Sequence, residues 1–218
     1  MLARGDDVAF AEWLQRLGDG KVKGVLFCQV NPLYNHPLQS KIEEGLKKVS
    51  LKVAITGQQD ETSLACDYVL GTHHFLESWN HYEPVSGTHL LAQPTINPLF
   101  DTLQPEEVLM RLANVDGSYY DFIRKNIVQN IYPKVSGFAS NNTFWDQVLH
   151  DGCVTVDAKE TFNVDLSTAN ISKAVSAIAN QPKADSGFEL YLYRNVAMDD
   201  GHWANNPWLQ ELPDPVSK

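Results

Sequence analysis

Cysteine is scarce in this 218-residue chain: Cys28, Cys66 and Cys153 lie far apart and include no C-x-x-C pair. The segment cannot by itself supply the thiolate set of a zinc or iron–sulfur site, and each thiol reads as a small buried hydrophobe. Positive charge is also in deficit, with 17 Lys and Arg against 27 Asp and Glu, a formal net charge of −10 and a pI near 5.0. Phosphate contact needs clustered cations, and with no basic patch in the sequence this argues against broad nucleic-acid binding. No apolar run approaches the roughly 20 residues of a membrane span. The opening MLARGDDVAF lacks the apolar core of a signal peptide. The expectation is either a mature cytoplasmic protein or an internal piece of something longer. At 43% hydrophobic and 20% charged, the chain can still bury a core as one or two soluble globular domains.

Familiar chemical motifs are missing too. The turn after the first predicted strand is Gln29-Val30-Asn31-Pro32, without the glycines that let a backbone approach a pyrophosphate. No G-x-S-x-G elbow occurs. Asn141-Asn142-Thr143 and Asn170-Ile171-Ser172 match the glycosylation sequon, a pattern common by chance. His73, His74, His81 and His89 with Glu77 and Glu83 form the most metal-like group. Were 73–81 helical, His73, Glu77 and His81 would share a face, but Gly71, Pro84 and Gly87 favour a loop and the spacing fits no common zinc signature. No metal ligands and no catalytic residues are assigned.

The patterning that is present points to an α/β fold. DVAFAEWLQRL at 7–17 has helical spacing, stopped by GDG. VKGVLFC at 22–28, LKVAIT at 51–56 and DYVLG at 67–71 are short β-rich runs suited to a parallel sheet. Between the first two, Leu38, Ile42, Leu46 and Val49 recur at helical spacing behind Pro37; between the second and third, GQQDETSLAC leaves room for a turn and a short helix. This alternation implies a Rossmann-like domain with a mainly parallel sheet. From 72 to 103 the pattern is irregular, with one strand at HLLAQP. Helices are predicted over QPEEVLMRLANV, SYYDFIRKNIVQNIY, NNTFWDQVLHDGCV and STANISKAVSAIAN, and an alternating strand over FELYLYRNVAM at 188–198. Trp79, Tyr82, Phe100, Trp203 and Trp208 offer either an interaction surface or packing under loops.

The order of these segments is recognisable. GKVKGVLFCQVNP, an amphipathic helix, then LKVAITGQQDETSLACDYVLGTHHFLESWNHYEP resembles the third domain of the molybdopterin oxidoreductase family. GHWANNPWLQELPDP resembles the entry to that family's fourth domain, a double-psi β-barrel. The family's strand ends in a glycine-containing turn before Asn-Pro, and a stretch of the type TETA..ADVVLP leads to an acidic residue. Asn31-Pro32, DETSLACDYVL at 60–70 and Glu77 occupy those positions here. Gln29 and Val30 replace small residues, and GTHHF replaces the proline. QVNPLYNHP, ESWNHYEP, TINPLFDTLQPEEVL and NPWLQELPDP are most similar to the fused molybdopterin-like and iron–sulfur subunit of bacterial alternative complex III, a quinol:cytochrome c oxidoreductase.

The resemblance implies three regions. Residues 1–135 would be the third-domain-like α/β part, 136–187 a helical connector packed on it, and 188–218 a truncated start of the barrel. It implies guanine-nucleotide contacts at Asn31, Asp60, Glu61 and Thr62 in cofactor-loaded relatives. With glycine missing from the turn, these positions are expected to be vestigial and the segment to hold no cofactor and catalyse nothing. The alternative is a site for molybdopterin guanine dinucleotide in an active full-length enzyme. The implied partners are multihaem cytochrome c and quinol-binding membrane subunits of a respiratory complex. The implied place is the periplasmic side of the bacterial inner membrane.

Overall fold

The computed structural model describes residues 5–157, 168–180, 187–188, 193–194 and 196–213. The chain divides into two compact units, Met1–Glu160 and Thr161–Lys218.

The first unit opens as the alternation of β-rich and helical patterns predicts. Helix α1 (Asp7–Gly18) precedes β1 (Gly24–Cys28), the single turn α2 (Pro32–Asn35), α3 (Gln39–Leu46), β2 (Leu51–Thr56), the short α4 (Glu61–Leu64) and β3 (Tyr68–Gly71). The strands form a parallel sheet in the order β1-β2-β3, with Phe27 beside Ala54 and Ile55 beside Leu70. Asp6 starts α1 by accepting hydrogen bonds from the backbone N–H groups of Val8 and Ala9, the usual role of an N-cap carboxylate. Leu17, Phe27, Ile42, Leu46 and Val49 then form one buried cluster, so α1 and α3 share a core with β1. Fully burying each such side chain is worth about 1.5–3 kcal/mol. Gly45 makes the close helix contact possible: a Cβ there would lie 2.6 Å from Leu17 Cγ.

The second half of this unit differs from the sequence expectation. Residues 72–103 are not irregular throughout. After a 3₁₀ turn at Phe75–Glu77 come β4 (Asn80–Val85) and β5 (Thr88–Ala92), the latter matching HLLAQP. Helices α5 (Pro105–Leu112), α6 (Tyr119–Asn130) and α7 (Asn141–Asp151) follow, and β6 (Cys153–Thr155) completes an antiparallel sheet in the order β4-β5-β6. Pro84 argues against a strand by sequence, since it has no N–H for a ladder. It is tolerated because β4 lies at the edge and its register breaks between Tyr82 and Val85.

This sheet packs on the helices through Leu91, Ile123, Ile127, Ile131, Phe144, Trp145, Val148 and Val156. Ile123, Ile127 and Ile131, four residues apart, form the buried face of α6 and its C-terminal end. Ser118 and Ser140 close capping boxes at the starts of α6 and α7. Gly152 ends α7 at φ 70°, its N–H donating to Val148. Trp79 packs against this core with its ring 4.7 Å from Tyr120, whereas Tyr82 and Phe100 are exposed. All three cysteines are free; Cys28 and Cys66 are half-buried but Cys153 is exposed. The alternation of β6 turns Val154 toward the core and Cys153 away.

In the second unit α8 (Thr168–Ala179) matches its prediction, and α9 (Pro207–Glu211) is capped by Asn206. Trp203 and Trp208 are exposed. The predicted strand at 188–198 lies outside the described residues at 189–192 and 195, and 196–198 are turn. Among the described residues no helix is long and apolar enough to cross a membrane.

Candidate functional site

In a parallel α/β sheet, the turns leaving the carboxyl ends of the strands are where side chains from distant segments meet. Here β1 passes into Gln29, whose N–H donates to Ile55 O at 2.9 Å and prolongs the ladder by one residue. Gln29 has φ 51°, a left-handed conformation that glycine adopts freely and a branched side chain resists. Val30 is exposed at 55%, and Asn31 turns inward, only 8% exposed.

Asn31 meets α4 across the sheet top. Its Nδ2 donates to Glu61 Oε2 at 2.7 Å. Its Oδ1 accepts from both the backbone N–H (3.2 Å) and the hydroxyl (2.7 Å) of Thr62. The Thr62 hydroxyl in turn accepts the Leu33 N–H at 3.1 Å. Asp60 caps α4 by accepting the Ser63 N–H at 2.7 Å, while the Ser63 hydroxyl accepts the Asp60 N–H. Thr62 and Ser63 are 1% exposed. Asn31, Glu61 and Thr62 are thus hydrogen-bonded to one another, with Asp60 beside them as the cap of α4. The result is a clasp joining the β1 turn to α4. A ligand drawing on the Asn31 Oδ1 or the Thr62 hydroxyl would compete with these bonds, and the turn itself carries the side chains of Gln29 and Val30.

The histidine-rich stretch separates into two groups. His73 leaves β3 with Nε2 at 2.9 Å from Thr102 O. Glu77 accepts the N–H groups of His74 and Leu99, each at 2.8 Å, and these bonds hold its carboxyl below the usual carboxylate range. Glu77 therefore pins the 3₁₀ turn to the loop before α5. His81 and His89 are on β4 and β5, where their rings face each other. Among the described residues no group of three His, Cys, Asp or Glu side chains is placed to hold a metal ion. Burial pushes the Cys28 and Cys66 thiols up, away from the reactive thiolate form.

A parallel sheet whose carboxyl-end turns converge on one polar cluster defines the α/β class, and comparison with known proteins narrows it. No family model matches the chain. Over 108 residues it is 34% identical to the menaquinone reductase, molybdopterin-binding-like subunit of Nitratidesulfovibrio vulgaris, a match covering 46% of this chain and 16% of that protein. The acetylene hydratase of Pelobacter acetylenicus superposes with a TM-score of 0.51 at 17% identity, covering 88% of this chain and 27% of that one. That second likeness speaks for the fold. The chain is related to the molybdopterin oxidoreductase family, and it spans well under a third of the length of either protein.

Proposed function

We propose that this chain is part of a molybdopterin-oxidoreductase-like subunit of a respiratory electron-transfer complex, and that it serves there as a structural and interaction module without bound pterin. The observation that carries the reading is the self-satisfied clasp: Asn31 and Thr62 are bonded to each other and to Glu61 and Leu33. Buried polar groups that already have partners gain little from a ligand and lose their own bonds to it. The relative's description as molybdopterin-binding-like, within a menaquinone reductase, supports a place in a multi-subunit oxidoreductase.

The finer reading follows the sequence resemblance to alternative complex III. Residues 1–135 act as the third-domain-like part, 136–187 as its connector and 188–218 as the start of the barrel domain. The partners are a multihaem cytochrome c and quinol-binding membrane subunits on the periplasmic face, and any iron–sulfur clusters belong to other parts of the polypeptide. Isolated, the segment has no catalytic role.

The convergence of Asn31, Asp60, Glu61 and Thr62 at the strand ends favours a second reading, the guanine-nucleotide side of a molybdopterin guanine dinucleotide site. The two separate on the full-length protein from its own cells. The module reading expects no stoichiometric molybdenum or pterin. The second expects both, and their loss in Asp60→Ala.

A further inference from the structure

His81 and His89 stand on neighbouring antiparallel strands, with His81 Nε2 3.1 Å from His89 Nδ1. The ring centroids are 5.2 Å apart. His89 is buried, its register partner on β6 being Val154. His81 is in the regular part of the β4–β5 ladder, opposite Leu91, and reaches diagonally to His89, which lies in the stretch of β5 where the register shifts. Backbone pairing is regular from Asn80 to Tyr82 and resumes only at Val85, and the gap contains Pro84, which has no N–H to donate.

A hydrogen bond between two imidazole nitrogens needs one proton between them: one ring donates and the other accepts. That bond survives with both rings neutral and with one ring protonated. When both rings are protonated, two N–H groups face each other and attraction becomes repulsion. Two nitrogens are too few for a metal cage, and no third ligand converges on them among the described residues. The chemistry of the pair is therefore that of the proton.

We propose that His81 and His89 form a proton-limited latch between β4 and β5 at the edge of the gap in their ladder, closed with at most one imidazolium and opened by the second proton. Among the described residues, Glu83 and Lys134 bear on it. Glu83, on β4 and anchored by the Gly87 N–H at 2.9 Å, favours charge on both rings, and Lys134 opposes charge on His89. Burial holds both rings below the ordinary imidazole range, with each other's charge adding to the effect on His81. The unfolded chain then binds more protons than the folded one. The latch's stabilisation is complete above the ordinary imidazole value and is lost as pH falls below it.

The test is urea unfolding of the chain between about pH 7.5 and about pH 5.5, a window around the unperturbed imidazole value and above the carboxylates. The unaltered chain, His81→Gln and His89→Gln are compared. Glutamine can hydrogen-bond to the remaining ring but does not titrate. In the unaltered chain the unfolding constant is expected to rise with each unit of acidification, by up to about tenfold per proton taken up. Both variants are expected to show a shallower rise. Equal slopes in all three would overturn the latch. Should a variant not fold, proton NMR titration of the unaltered chain decides. Two coupled steps sensed by both rings, with faster amide exchange in β4 after the second, are expected. Independent single-step titrations of the two rings would refute it.

Discussion

Asn31 and Glu61, 30 residues apart in sequence, are joined by a 2.7 Å hydrogen bond from the Asn31 Nδ2 to the Glu61 carboxylate. Through it and the paired bonds of Thr62, the turn after β1 is tied to α4 by the protein's own side chains. The stability of the unit should accordingly depend on this clasp.

Thr62→Val removes the hydroxyl that serves both Asn31 and the Leu33 N–H while keeping the volume. Leaving buried groups unpaired costs about 1–3 kcal/mol. Urea unfolding is expected to register a loss in that range, and an unchanged midpoint would mean that water or other groups replace the bonds.

Gln29 holds a left-handed backbone at φ 51°. Gln29→Gly is expected to be neutral or to stabilise by up to about 1 kcal/mol, while Gln29→Val destabilises by about 1–2 kcal/mol. Thermal unfolding of the pair reads the difference directly. The order valine above glycine would show that the strain is not in the backbone.

Gly45→Ala drives a Cβ to within 2.6 Å of Leu17 Cγ and 2.9 Å of Cδ2. Overpacking of this kind costs about 1–3 kcal/mol, so the variant should be less stable despite alanine's better helix propensity. In a double-mutant cycle with Leu17→Ala, the alanine at 45 should be better tolerated once Leu17 is truncated. Additive effects would place the clash elsewhere.

Glu77 is held ionised by the His74 and Leu99 N–H groups. Because its folded pKa is depressed, its contribution is present above the ordinary carboxylate value of about 4.3 and disappears as pH falls through the lower folded value. Glu77→Gln should lower stability near neutrality and flatten the acid limb of the pH profile. An acid limb identical to that of the unaltered chain would assign the effect to other carboxylates.

The parallel sheet was legible because its evidence is local. Short β-rich runs, the Leu38–Ile42–Leu46–Val49 spacing and the limits at Gly and Pro are each visible within a few residues. The hairpin of β4 was hidden by Pro84 and by alternation of aromatic and polar side chains that resembles a loop. The three-residue β6 follows α7 immediately and carries no periodicity of its own. At the candidate site, family likeness could nominate Asn31, Asp60, Glu61 and Thr62. Their mutual bonding depends on the β2 crossover bringing α4 beside the β1 turn, which no local pattern encodes. At Gln29 the resemblance flagged small residues replaced at 29 and 30, and the backbone angle adds which of the two takes the left-handed conformation that glycine favours.

The most direct measurement is molybdenum by mass spectrometry, with released pterin by fluorescence, on the full-length protein purified from its native cells. A clasp that has taken the place of a ligand should leave molybdenum and pterin far below one per polypeptide. Near-stoichiometric amounts of both would contradict that account and make the turn at Gln29–Pro32 part of a working cofactor site.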